Sequence, residues 1–338
     1  MRVLLLVIIL SMNVLADDFN PNDIFKIKGM KIGQAEYEKG MTGTTAIIFE
    51  GGAVAGVDVR GAAPGTRETD LLKPENLVQE VHAIVLSGGS AFGLDSMTGV
   101  AKYLEEQEIG FDVGVAYVPI VTGAILFDLA IGDPKIRPDA KLGYEAAKNA
   151  SDKEFLEGNF GAGKGAVVGK IKGMDYAVKS GIGTYTITFE GGLIVGAIVA
   201  VNAWGDVVEG RDVVAGTLTD DKKNFAGGTK VLLEGKGAKG FEGRNTTIGV
   251  IVTNAKVTKA QAGKIAQMAH DGYGRAINPV HTMYDGDTIF AAGTGEVEAD
   301  INIVGIAAAE AMERAIRRAV RNTEGAGGYP SLKELEKR

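Results

Sequence analysis

The chain has 338 residues, 45% of them hydrophobic and 23% charged, with a formal net charge of −7. Such a composition is globular, and a net-negative chain without a basic stripe has no electrostatic attraction for nucleic acid. Cysteine is absent and only three histidines occur (His82, His270 and His281), which excludes thiol nucleophiles, iron–sulfur clusters, thiolate zinc and disulfides, and leaves too few ligands for a histidine-rich metal site. No cofactor or metal is therefore expected. Glycine, at 49 residues, is roughly twice as frequent as usual and follows no collagen period, so many backbone positions must be tight turns or close approaches.

The N-terminus, Met1–Ala16, reads MRVLLLVIILSMNVLA. Arg2, the apolar run Val3–Leu10 and the small-residue site Val14-Leu15-Ala16 read as a secretory signal peptide, the alternatives being a buried N-terminal strand or an over-extended start upstream of Met30. The run is too short to span a bilayer, which needs about 20 residues. The expectation is an exported chain (periplasmic or extracellular, cytoplasmic if the signal is not used) with residues 17–338 forming one catalytic domain. Short β-branched runs bounded by glycine predict strands at Thr45–Phe49, Ala83–Leu86, Tyr185–Phe189, Leu193–Val201 and Thr247–Thr253. Leu94–Glu106 predicts a helix. Thr258 with Gln261 forms a capping box opening a helix over Lys259–Tyr273. Val304–Arg321 carries an apolar stripe and the i,i+4 pairs Glu310/Arg314 and Glu313/Arg317. Strands and helices grouped in this way predict a layered α+β domain.

Three glycine-rich signals suggest phosphate or nucleophile chemistry and fail on their own terms. Gly158–Gly165 matches GxxxxGK, but Gly165 stands where a Ser or Thr is required, and no helix pattern follows. Gly161-Ala162-Gly163 lacks the strand and helix of a dinucleotide fingerprint. Gly88-Gly89-Ser90-Ala91-Phe92 has Phe92 in place of the last glycine of a nucleophile elbow. Tight turns explain all three.

Thr219–Arg244 is charged and rich in Gly and Lys, which predicts a mobile linker, and it runs abruptly into the strand that begins Asn245-Thr246-Thr247. A threonine hydroxyl becomes a useful nucleophile when a base sits beside it. Its own α-amino group, released by cutting the preceding bond, can be that base. Further on, Asp285-Gly286-Asp287 is read in two ways. Either it is the Asp-Gly turn of a hairpin, or it sends two carboxylates to one side of an extended segment.

Six segments in order, GVDVRGAAPGTRETDLL (Gly56–Leu72), LSGGSAFGLD (Leu86–Asp95), GAGKGAVVGK (Gly161–Lys170), VAVNAWGDV (Val199–Val207), NTTIGVIVTNA (Asn245–Ala255) and PVHTMYDGDTIF (Pro279–Phe290), resemble the L-aminopeptidase/D-amidase/esterase (DmpA) family. That family also holds β-peptidyl aminopeptidases and the 6-aminohexanoate-oligomer endohydrolase. The resemblance spans about Phe19 to Val320. It implies a four-layer α/β/β/α sandwich of the DmpA/ornithine-acetyltransferase type, and self-cleavage into residues 17–245 and 246–338. The implied activity is hydrolysis of amide bonds in short peptides, amino-acid amides or esters, or 6-aminohexanoate-type oligomers. A homo-oligomer of processed protomers, commonly four, is also implied. By the same resemblance Asn245–Thr246 is the scissile bond, Thr246 the nucleophile and Asn202 an oxyanion donor. Lys170 matches the active-site lysine, with Lys172 its competitor two residues on, and Asp285 and Asp287 match the pair behind the nucleophile. Phe127 stands where the aminopeptidases have an oxyanion-site tyrosine, so either another group supplies the second hydrogen bond or the oxyanion is held less well. His281 carries no assigned role and reads as a structural histidine. Arg60 and Arg67 are either carboxylate binders or salt-bridged turn residues. The rival readings are an ornithine-acetyltransferase-like acyl transferase and a non-processing binding protein.

Overall fold

The computed structural model describes residues 19–237 and 245–337; the Met1–Ala16 segment lies outside the described residues. Nine strands are joined by hydrogen bonds: β1 (Met30–Tyr37), β2 (Thr42–Val59), β3 (Thr66–Arg67), β4 (Glu80–Ser87), β5 (Val121–Ile125), β6 (Ile182–Thr188), β7 (Ile194–Asn202), β8 (Thr246–Ala255) and β9 (Thr288–Val297). Their order is β6-β7-β8-β9-β2-β4-β5-β3, with β1 also paired to β2. The β8–β9 and β4–β5 pairs are parallel and the others antiparallel.

This ladder makes two layers because β2 serves both. Its first half pairs with β1 and β4, its second half (Val54–Val59) pairs with β9, and the register shifts between Ile48 and Ala53. Among the described residues six α-helices accompany the strands: α1 (Ser96–Glu106), α2 (Ala140–Lys148), α3 (Gly228–Leu233), α4 (Lys259–Ala276), α5 (Ile301–Arg321) and the short α6 (Leu332–Leu335). Three buried clusters separate the layers. Met97, Val100, Leu104 and Leu142 of α1 and α2 pack on Ala46, Ile48, Ala83 and Val85. Ile265, Ala269, Tyr273, Ala308 and Met312 of α4 and α5 pack on Val195, Ala197, Val199, Ile251 and Ile289. Between the two strand layers, Ile47, Phe49, Ile84 and Leu86 meet Ile198, Ala200, Ile248, Val250, Val252 and Phe290. The result is the α/β/β/α sandwich. Strand β8 is buried on both faces, which is why it reads as a continuous apolar run and not as an alternation. Glycine allows the helices to come close: a Cβ on Gly183 would lie 2.2 Å from Ala315 O of α5, and one on Gly56 2.2 Å from Gly263 N of α4.

The predicted elements map onto this frame with shifted ends. The Thr258/Gln261 capping box is formed and α4 continues to Ala276. A 3₁₀ turn over Ser90–Asp95 precedes α1, which begins at Ser96. Strands β1, β3, β5 and β9 and the helices Ala140–Lys148 and Leu332–Leu335 have no counterpart in the sequence reading. The composition of Thr219–Arg244 pointed to a mobile linker throughout. Its described part, through Gly237, is instead a turn followed by α3, and residues 238–244 lie outside the described residues. The anchor is non-local. Buried Asp206 accepts hydrogen bonds from Thr217 N–H (2.7 Å), the Thr217 hydroxyl (2.8 Å) and Gly228 N–H, while Val231 packs on Ile171 and Trp204. Among the described residues no helix is long and apolar enough to cross a membrane.

Candidate active site

Side chains alternate across a strand. Ile248, Val250 and Val252 of β8 and Ile198 and Ala200 of β7 all point into the space between the two strand layers. Thr246 and Asn202 continue those two rows and are paired across the antiparallel ladder, so both side chains emerge at the end of the inter-sheet space. Thr246 is 4% exposed and Asn202 is fully buried.

Asn202 is held on every side. Its Oδ1 accepts from Lys170 Nζ (3.0 Å) and Val167 N–H (3.1 Å), and its Nδ2 donates to Phe127 O (2.7 Å). Two donors face the oxygen and a carbonyl faces the nitrogen, which fixes the amide orientation and leaves Nδ2 a second hydrogen to offer. Phe127 thus contributes through its backbone carbonyl. Lys170 Nζ also donates to Asn202 O (2.8 Å). Burial pushes the Lys170 amine down to about 7 against the opposing pull of Asp285 and Asp287. Lys172 is elsewhere, on Asp220 and Leu218 O and over the Tyr176 ring.

The Asp285–Asp287 segment closes the other side. It is neither a hairpin turn nor a strand but an extended run in which Asp285 bridges Asn245. The turn comes earlier, with Asp285 N–H donating to Thr282 O at 3.2 Å. Asp285 Oδ1 accepts from Trp204 N–H (3.2 Å), and Oδ2 from the Thr282 hydroxyl and N–H. Burial and then the neighbouring Asp287 raise the Asp285 carboxyl to about 6. Asp287 Oδ1 accepts from Thr247 N–H at 2.8 Å. Gly286 N–H donates to the Asn245 carbonyl at 3.0 Å, and the same carbonyl accepts the Thr246 hydroxyl. Residues 60–63 back this run, with Arg60 N–H on Asp287 O (3.0 Å) and Ala63 N–H on Asp285 O (2.9 Å).

Thr246, Asn245, Asn202, Lys170, Asp285 and Asp287 therefore come together, although the sequence separates them by more than a hundred residues. Arg60 pairs with Asp58 and donates to Gln267 O, and Arg67 donates to the Thr98 hydroxyl. The sequence reading missed Gly286 N–H, Trp204 N–H, Thr282 and Phe127 O. Only Thr282 left a trace, standing three residues before Asp285, where a hydroxyl reaches a turn carboxylate. Among the described residues no cluster of three His, Asp or Glu side chains is arranged to hold a metal.

Two solved structures share the fold: a Burkholderia sp. β-aminopeptidase (TM-score 0.71, 19% identity, 94% of this chain and 93% of that one) and the L-aminopeptidase/D-Ala-esterase/amidase of Ochrobactrum anthropi (TM-score 0.70, 17% identity, 94% and 93%). By sequence, the chain is 39% identical to an uncharacterised aminopeptidase of Mycobacterium leprae, over 92% of this chain and 93% of that one. It is 32% identical to the 6-aminohexanoate-oligomer endohydrolase of Agromyces sp. strain KY5R, over 81% and 75%. Residues 22–332 match peptidase family S58. The chain belongs to peptidase family S58 and is a hydrolase of peptide or amide bonds.

Proposed function

We propose that the protein is an autoprocessing amidohydrolase with Thr246 as its nucleophile. The observation that carries the reading is the Asn245 carbonyl, which lies against the Thr246 hydroxyl on one side and the Gly286 N–H on the other. In self-cleavage, Thr246 Oγ1 adds to the Asn245 carbonyl carbon and the Gly286 N–H holds the developing oxyanion. The hydroxyl proton passes to the Thr246 nitrogen as the C–N bond breaks, which leaves an ester. Water then hydrolyses that ester to an Asn245 carboxylate and a free Thr246 α-amine.

In turnover, the α-amine takes the Thr246 hydroxyl proton, and its ordinary pKa near 7.7–8.0 leaves a neutral fraction available. Lys170, opposite on Asn202, adds positive potential in its protonated form, which favours the neutral amine. Oγ1 attacks the substrate carbonyl, the free hydrogen of Asn202 Nδ2 meets the oxyanion, the amine leaves, and water releases the acyl group. The substrates are short peptides, amino-acid amides or esters, or 6-aminohexanoate-type oligomers, as the named relatives suggest. The reading includes removal of Met1–Ala16 and assembly into a homo-oligomer of four processed protomers, which light scattering tests. Hydrolysis of amino-acid p-nitroanilides by the purified chain, lost in Thr246→Ala, tests the activity. Acetyl transfer to ornithine without amide hydrolysis would replace it with the acyl-transferase reading.

A further inference from the structure

Two of the chain's three histidines stand directly behind the site. His281 Nδ1 lies 2.9 Å from Asp287 Oδ2, and the His281 N–H donates to the same oxygen at 3.0 Å. A carboxylate only accepts, so Nδ1 carries the proton. The other oxygen, Oδ1, takes the Thr247 N–H. Three donors on one buried carboxylate fix its orientation, and one of them belongs to the residue immediately after Thr246. His281 has a left-handed backbone (φ 56°), uncommon for a residue with a side chain and best tolerated by Asn, Asp and His. Conformations of this sort cost energy and persist where the surroundings enforce them. The ring is set by its neighbours. His270 meets it edge-on at 4.8 Å between centroids, and Tyr273 stacks on it at 5.9 Å. His270 is in turn tied to Asp58 O at 3.1 Å, and burial pushes it down to about 4, so it is an uncharged wall.

We infer that His281 is a positioning residue: its imidazole Nδ1–H and its backbone N–H clamp Asp287 so that the carboxylate holds the Thr247 N–H and fixes the start of the strand that presents Thr246. The inference rests on Thr246 being the nucleophile. It explains why a polar ring sits in a strained conformation where a small turn residue would be easier to fold.

Self-cleavage reads the clamp without any knowledge of the substrate, because the chain is its own. His281→Gly accepts the left-handed backbone and deletes the ring; losing one charge-assisted hydrogen bond is expected to slow self-cleavage about 10- to 100-fold. His281→Asn keeps a side-chain N–H near the Nδ1 position and tolerates the same backbone, so it should restore most of the wild-type rate. Thermal melts confirm that each variant is folded. Independently, ¹⁵N-imidazole labelling of the uncut Thr246→Ala chain gives only three ring systems. The His281 Nδ1–H should be protected from exchange there, and exposed once Asp287→Ala is added. His281→Gly cleaving at the wild-type rate would overturn the inference. His281→Asn as slow as His281→Gly would do the same, and would reduce His281 to packing. If the wild-type chain never cleaves, the self-processing reading fails, while the ring-proton spectrum still decides whether the clamp exists.

Discussion

Replacing Gly286 by alanine should stall self-cleavage while the sandwich stays folded. The added Cβ would stand 2.5 Å from Ala63 O and 2.8 Å from Thr246 Oγ1. The first of these atoms is backbone and cannot swing aside, because Ala63 N–H is itself bonded to Asp285 O at 2.9 Å. The 285–287 run must therefore move, and with it the Gly286 N–H that now lies 3.0 Å from the Asn245 carbonyl. Loss of one preorganised oxyanion donor raises a barrier by about 2.7–4 kcal/mol, or roughly 10²- to 10³-fold in rate. The assay follows intact mass against time after synthesis in a cell-free system, with circular dichroism to verify the fold. Gly249→Ala, on the strand β8 that Thr246 opens, is the matched control. Its Cβ would meet the ends of the Met312 and Tyr273 side chains, both at 2.9 Å, and Ile198 O in ordinary contact at 3.4 Å, so it should cost stability and leave cleavage near the wild-type rate. A folded Gly286→Ala chain that cleaves as fast as wild type would refute the role of this N–H. Equal slowing by Gly249→Ala would assign the effect to stability instead.

Lys170→Met should reduce self-cleavage and turnover together by at least about 10²-fold, whereas Lys172→Met, whose contacts among the described residues are with Asp220, Leu218 O and the Tyr176 ring, should leave both unchanged; rates for the two variants decide which lysine serves the site. The pH dependence of stability has a definite sign. Asp285 is raised from 3.8 to about 6, so the folded chain holds its proton more tightly and the stability from this group is lost as pH rises from about 4 through 6. Lys170 is lowered from 10.5 to about 7, so its stabilising share is present at high pH and is lost as pH falls from about 10 through 7. Relative to Asp285→Asn, wild type should therefore lose stability between pH 4 and 6.5 in urea titrations; a constant or opposite difference would contradict the buried-carboxyl account. Asp206→Ala should lower the urea-derived stability by about 2–5 kcal/mol, because the Thr217 and Gly228 N–H groups lose their acceptor, and an unchanged midpoint would remove Asp206 as the anchor of α3.

Local signals were readable wherever the physics is local. The Thr258/Gln261 box marks the start of α4 because both halves lie within one turn, and the continuous apolar run of β8 marks a strand buried on both sides. Strand β9 (TIFAAGTGEV) escaped notice because Ala and Gly dilute its pattern, and its burial comes from β8 and β2 on either side. Residues 219–237 looked like a linker because composition registers charge and glycine but not the Asp206 carboxylate that binds the segment from elsewhere. The cluster itself was legible through the family resemblance, not through spacing. Asn202 faces Thr246 only because β7 and β8 pair in one register, and Lys170 reaches them from a loop. Gly286 N–H and Phe127 O have no sequence signature at all, since any residue supplies a backbone group. The Asp-Gly dipeptide favoured a turn, yet the turn falls at Thr282–Asp285, because Asn245 and residues 60–63 hold Asp285–Asp287 extended.

The central claim is that Thr246 cuts its own chain and then catalyses with the amine it has freed. Intact mass and N-terminal sequencing of the wild-type protein beside Thr246→Ala test it most directly. The account predicts two fragments in wild type, the smaller beginning Thr-Thr-Ile, and one unbroken chain in the variant. One unbroken chain in both, or a cut that persists in Thr246→Ala, would contradict it.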